Sequence, residues 1–225
     1  MLAAGKRSTP QSDAALEHLC RTYWFPLYAY VRRRGYSKED AEDLTQAFFA
    51  RFLSKNYLDG LSAERGRFRA FLLASIKHFL VNDWVRAQRQ KRGGGKVHLS
   101  LDWQTADTRF QVAATSEPSP DKAFDREWAT TLLAKVVRRL QEECEADGKG
   151  KLFEHLKQFL TLDGDATPQA DAAKALGMEE AAVRVAVHRL RKRYRELLRH
   201  EIAQTLTNPA DIAGEMRALF EAFAA

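Results

Sequence analysis

The pattern that most constrains the fold lies between Thr167 and Arg199, where a short helix, a glycine and a longer helix are predicted in succession. Residues Pro168–Leu176 are rich in alanine and carry one apolar face. Gly177 follows where a helix end commonly takes a positive φ, which glycine adopts without steric cost. The next apolar residues recur at steps of three and four, the period of an amphipathic helix. These residues are Val183, Val187, Leu190, Tyr194 and Leu197.

The second of these helices carries an excess of positive charge. Between Ala182 and His200, seven Arg or Lys residues accompany a single acid, Glu196. This layout is typical of a helix-turn-helix whose second helix enters the DNA major groove. An inert helical hairpin with a solvated basic face is the alternative. The candidate DNA-contact residues are Arg184, His188, Arg189, Arg191 and Lys192.

The remainder of the chain has few strand signals and several further helical periods. Ser37 is a predicted N-cap, and Asp40 completes a capping-box-like pattern. Residues 96–120 show no sustained period and predict an irregular linker. The expected fold is therefore all-α, with two small helical modules joined by that linker and a helix-turn-helix in the second. The predicted helices outside Thr167–Arg199 are Asp13–Arg34, Ser37–Leu53, Arg67–Gln90, Phe124–Glu145, Lys151–Leu160 and Pro209–Phe223.

Composition narrows the class of protein. The 225 residues carry a net charge of +6 and a pI of about 9.4, which favours a polyanionic partner. Cys20 and Cys144 stand apart without a CxxC motif, so we expect neither a disulfide framework nor a metal site. The scattered histidines and the lack of a phosphate-binding loop predict no cofactor and no enzymatic activity. The absence of a signal peptide and of a long apolar run predicts a cytoplasmic protein without membrane contact.

Two charged clusters in the first module are candidate binding sites. Four acids crowd the start of the second helix (Glu39, Asp40, Glu42 and Asp43); they complement the helix dipole or dock a basic protein surface, and the residues alone leave both open. The end of the third helix carries cations beside planar side chains, which suits nucleic-acid contact. A core Trp84 under a solvated helix end is the alternative there. The residues of this second cluster are Asn82, Trp84, Arg86, Arg89, Lys91, Arg92 and Lys96.

Three segments resemble the extracytoplasmic-function (ECF) type of bacterial RNA polymerase sigma factor. Tyr36–Gln46, read as YSKEDAEDLTQ, is similar to a signature of that family, and Gly66–Leu72 resembles the start of its next helix. Val187–Leu198 resembles its C-terminal DNA-binding region. The order of the segments also agrees. The sequence departs from the family where it has His78 and Asn82 in place of an Asn and an Asp.

The resemblance implies a role for each segment. Residues 13–95 would form a region 2-like bundle, 96–123 a linker toward the RNA exit channel, 124–200 a region 4-like helix-turn-helix domain and 201–225 a C-terminal extension. Asp40, Asp43, Leu44 and Gln46 would dock on the β′ clamp helices of core RNA polymerase. The second module would read the promoter −35 element and face the β flap. The residues that would hold the −10 element as a single strand are Asn56, Asn82, Trp84, Arg86, Arg89, Lys91 and Arg92.

The chain would then lend core polymerase a sequence preference, direct promoter recognition and DNA melting, and so initiate transcription. The alternative is a free-standing helix-turn-helix regulator that binds an operator without polymerase, which would need dimer symmetry. The residues leave open whether an anti-sigma factor, phosphorylation or the segment 201–225 restrains the activity.

Overall fold

The computed structural model shows a chain of helices. The residues that it describes are 10–54, 68–82, 103–113, 119–160, 167–206 and 208–224. In chain order the α-helices are α1 (Pro10–Arg33), α2 (Lys38–Ser54), α3 (Phe68–Asn82), α4 (Trp103–Ala113), α5 (Pro120–Ala146), α6 (Gly150–Leu156), α7 (Thr167–Leu176), α8 (Glu180–Gln204) and α9 (Ile212–Glu221). Short 3-10 helices cover Lys157–Leu160 and Pro209–Asp211. Every regular element in these ranges is helical, which confirms the all-α class.

The chain divides into two compact units. The first unit comprises Met1–Thr131 together with Ile202–Ala225, and the second comprises Leu132–Glu201. The boundaries between the units lie within α5 and α8. They differ from the segment boundaries expected from the sequence, whose functional assignments stay predictions.

Aromatic side chains form much of the core of the first unit. Tyr23 of α1 meets Phe68 of α3 edge to face, with ring centroids 5.5 Å apart. Phe48 of α2 meets Phe79 of α3 in the same way at 5.6 Å. Edge-to-face pairs add to the free energy gained by burying the rings. The start of α3 is therefore fixed against α1, and its later turns against α2.

The predicted irregular linker contains α4, which packs in the first unit. Trp103 lies 5.3 Å from Trp24 between ring centroids, and Ala106 is fully buried. The guanidinium of Arg32 lies 4.7 Å from the ring centre of Phe110. The sequence concealed this helix because its apolar stripe is short and has alanine at the middle position. Tertiary contacts with α1, rather than a long apolar period, account for it.

The C-terminal segment also belongs to the first unit, although it follows α8 in the chain. Leu219 of α9 is fully buried, and so is Ile202, where the segment begins. Asn208 caps the 3-10 helix before α9, because its Oδ1 accepts a hydrogen bond of 3.0 Å from the amide of Ala210. This segment is therefore a packed part of the first unit.

The second unit is built around a small core shared by α6, α7 and α8. Leu156, Phe159, Ala172, Ala173, Val183 and Val187 form the buried cluster. The alanines let α7 approach its neighbours closely, and the valines are the inward residues of α8. The apolar stripe predicted for α8 thus faces this core at its first two positions.

Candidate functional site

The acidic start of α2 is fixed by its N-cap. The Oγ of Ser37 accepts a hydrogen bond of 3.1 Å from the amide of Asp40, which confirms Ser37 as the cap. Glu39 and Asp43, one turn apart, are exposed, whereas Asp40 and Glu42 are half-buried. The four carboxylates therefore make a negative surface on the first turns of α2, where they also complement the positive end of the helix dipole.

The other two predicted polymerase-binding residues lie differently. Leu44 is only 2% exposed and packs in the core of the first unit, so its side chain lies on the buried face of α2. Gln46 is half-buried and forms contacts of its own. Asp40, Asp43 and Gln46 thus reach the surface of α2, and Leu44 does not.

Glu42 is one of the four acids of this surface, although the resemblance implied no docking role for it. Its Oε1 is buried and has no hydrogen-bond partner among the described residues. Burial raises the pKa of Glu42, and the carboxylates of Glu39 and Asp107 raise it further against the opposing effect of Lys38. Asp107 belongs to α4, which the sequence did not predict, so no local signal could have revealed this environment. The acidic surface extends from α2 toward α4.

The residues predicted to contact the −10 element fall almost entirely outside the described ranges. Asn82 is the last residue of α3. Asn56, Trp84, Arg86, Arg89, Lys91 and Arg92 lie outside the described residues. Their roles stay predictions.

The turn between α7 and α8 has the predicted geometry. Gly177 takes a φ of 62° and is followed by the N-terminal turn of α8. The amide of Met178 donates to the carbonyl of Ala173 at 3.0 Å, and the amide of Gly177 donates to that of Lys174 at 3.2 Å. These two bonds form a Schellman motif. Met178 packs against the core cluster, so the direction of α8 is set by backbone bonds and by an apolar contact.

The first half of α8 presents cations to solvent. Arg184, His188, Arg189 and Lys192 are all exposed. Within the described ranges, none of these four forms a hydrogen bond or an ion pair. A polyanion could therefore bind them without first displacing a carboxylate of the described residues.

The next cations of α8 are engaged within the second unit. The Nε of Arg191 donates to the carbonyl of Phe159 at 2.7 Å, and its side chain is half-buried. The guanidinium of Arg193 binds both carboxylate oxygens of Glu143 at 2.8 Å. This bidentate pair lowers the pKa of Glu143 and raises that of Arg193. Arg191, one of the predicted DNA contacts, thus has a structural partner that the sequence did not reveal.

A groove of about 600 Å³ lies within the second unit, bordered by α5, α6 and α8. The charged residues that line it include Glu143, Arg189 and Arg193. A groove that combines apolar and charged side chains suits an amphipathic partner segment. The apolar lining consists of Leu140, Leu152, Phe153, Leu156, Met178, Ala182, Val185, Ala186 and Leu190.

Among the described helices, none is long and apolar enough to cross a membrane. No match was found among curated proteins or among solved structures. A comparison with family models matches residues 20–90 to Sigma-70 region 2. That range contains the capped acidic helix α2 and the whole of α3. The match shows that residues 20–90 are similar to Sigma-70 region 2, which supports a sigma factor.

Proposed function

We propose that the chain is a sigma factor of the ECF type, which binds core RNA polymerase and directs promoter recognition, DNA melting and transcription initiation. The observation that carries the proposal is the Sigma-70 region 2 match over residues 20–90. The resemblance of Val187–Leu198 to the C-terminal region of ECF sigma factors supports the ECF type in particular. The proposed role is binding rather than catalysis.

In this proposal the acidic surface of α2 docks on the β′ clamp helices. Asp43 is exposed, and Asp40 lies half-buried beside it. Charged groups at a protein interface steer association and fix its register. Leu44 acts from within the core, because it holds α2 against the bundle.

The second unit reads the −35 element through α8. Its support is the combination of a Schellman turn at Gly177 and four exposed residues of α8 that have no ion-pair partner in the described part of the chain, Arg184, His188, Arg189 and Lys192. In helix-turn-helix proteins the N-terminal residues of the second helix contact base edges. Arg191 contributes through its bond to Phe159, which ties α8 to the 3-10 helix.

The groove bordered by α5, α6 and α8 is the proposed contact for the β flap. Its support is an apolar lining shared by α5, α6 and α8, with charged side chains among the lining residues. The −10 contacts assigned to Asn56 and to residues 82–92 belong to the same proposal. An anti-sigma factor is a further partner that such an acidic docking surface would admit.

Reversing the charge of the docking surface tests the proposal. We expect the wild-type chain to co-purify with core RNA polymerase, and we expect Asp43→Arg to lower that affinity about tenfold or more, because like charges across an interface repel. Glu142→Arg is the matched control, since it places the same charge change on an exposed residue of α5.

Equal binding by the two variants would remove α2 from the interface. A wild-type chain that binds DNA but not core polymerase would overturn the sigma-factor proposal in favour of a free-standing regulator.

A further inference from the structure

Three helices of the first unit meet at the side chain of Arg69. The Nε of Arg69 donates to Oε1 of Glu215 at 3.1 Å, and its Nη1 donates to Oδ1 of Asp125. The guanidinium also lies over the ring of Trp128, 4.4 Å from the ring centre. Arg69 belongs to α3, Asp125 and Trp128 to α5, and Glu215 to α9. One cation thus joins residues that are up to 146 positions apart in the chain.

The contact from α9 is buried. Glu215 is 1% exposed and Arg69 is 8% exposed. Leu219, one turn after Glu215, is fully buried on the same side of α9. The C-terminal helix therefore presses both a carboxylate and an apolar side chain into the first unit.

Among the described residues, one cation faces two carboxylates at this point. Burial lowers the pKa of Arg69, but Asp125 and Glu215 more than offset this effect, so its pKa is raised. If Glu215 becomes neutral, Arg69 keeps Asp125 as its partner. If Arg69 is removed, two carboxylates remain without their cation. The variant at Glu215 is thus the milder one and can report on the position of α3 without loss of the fold.

We propose that Glu215 is a positioning residue for α3, and that α9 is consequently a working part of the promoter-opening module. The inference rests on the proposed function, in which α3 and the residues after it hold the −10 strand. Arg69 is the second residue of α3, so its carboxylate partners fix the point where the helix begins. The neighbouring Phe68 meets the ring of Tyr23 edge to face, which holds the same turn against α1.

Glu215→Gln tests this in the holoenzyme, on a promoter that the wild-type holoenzyme selects from a randomised library. We expect the affinity for core polymerase and the closed complex to be unchanged. We expect the permanganate reactivity of the −10 strand to fall about tenfold, because a charge-assisted hydrogen bond at the start of α3 is lost. Glu215→Asp, which keeps the charge on a shorter side chain, should restore part of the reactivity.

Asp121→Asn is the matched control, because it neutralises a carboxylate that is paired with Lys77, another cation of α3. That pair is exposed at both ends, with an N–O distance of 2.5 Å, so its removal should leave promoter opening unchanged.

Normal melting by Glu215→Gln would overturn the inference and leave the proposed function intact. An equal fall in core binding, closed-complex formation and thermal stability would overturn it as well, since that pattern marks a purely structural residue. If Glu215→Gln does not fold, the same readouts apply to Glu215→Asp. A wild type that binds no core polymerase or selects no promoter would overturn the proposed function, and this inference with it.

Discussion

Helices α8 and α3 both carry cations, but they use them differently. In α8, Arg184, Arg189 and Lys192 are exposed and have no ion-pair partner among the described residues. In α3, Arg69 is buried between two carboxylates and Lys77 is paired with Asp121. These three cations of α8 are thus available to a polyanion, whereas Arg69 holds α3 in place.

The comparison shows that the number of cations on a helix is a poor measure of its binding surface. Partner, burial and position decide the role of each one. A surface cation without a partner can release counterions from a nucleic-acid backbone and so strengthen binding. Removing one partner of a buried ion pair lowers stability instead, because the charge that remains is buried without compensation.

The largest effect that the comparison predicts is the loss of Arg69. We expect Arg69→Met to lower the free energy of unfolding of the first unit by about 3 kcal/mol, because it leaves Glu215 and Asp125 without their buried cation. Urea denaturation at neutral pH measures the change. Lys77→Met removes an exposed pair from the same helix and should cost less than about 1 kcal/mol. Equal costs for the two substitutions would remove the distinction between the buried and the exposed cation of α3.

The second effect separates two cations of α8. We expect Arg184→Ala to weaken binding of the holoenzyme to promoter DNA by about 1 kcal/mol and to lower the slope of log K against log salt concentration by about 1, because one cation is lost from the DNA interface. We also expect a changed preference in a randomised −35 library. Arg193→Gln removes the same charge from the same helix, but Glu143 already holds that guanidinium, so the slope should stay constant.

If the two variants lower the salt slope equally, Arg193 contributes to DNA binding despite its pair with Glu143. An unchanged slope and an unchanged −35 preference for Arg184→Ala would instead exclude Arg184 from the interface.

Local chemistry explains how much of this could be predicted from sequence. The side chain of Ser37 caps a helix, and the backbone freedom of Gly177 allows a helix to end. Both helix ends could therefore be predicted from the local sequence. Long amphipathic helices such as α8 could also be predicted, because their apolar residues repeat over several turns.

Contacts between distant residues were not predicted. Arg191 pairs with a carbonyl 32 positions away and Arg193 with a carboxylate 50 positions away. Nothing in the composition of α8 distinguishes these arginines from Arg184 or Arg189. The packing of α9 in the first unit likewise involves the contact between Glu215 and Arg69. The apolar pattern of neither helix indicates that these two residues meet. The acidic surface was predicted from α2 alone, and its extension toward Asp107 required the packing of α4.

The smallest effect concerns the pair that engages Arg193. The hydrogen bonds from Arg193 hold the pKa of Glu143 below its ordinary value of 4.5. A carboxylate whose pKa is lowered by folding stabilises the folded chain above its unfolded pKa, and this contribution is lost as the pH falls through the folded pKa. Wild type should therefore exceed Glu143→Gln in stability at pH 7, by less than about 1 kcal/mol because the pair is partly exposed.

The difference between wild type and Glu143→Gln should stay constant down to about pH 5 and vanish as the pH falls below 4.5. Thermal unfolding at matched ionic strength measures it, with Glu142→Gln as the control, since Glu142 lies beside Glu143 and is exposed. A gap that persists at low pH would mean that the glutamine alters packing rather than charge. A gap absent at pH 7 would mean that the bidentate pair holds Arg193 without stabilising the second unit, so that Arg193 could exchange Glu143 for a phosphate at little cost.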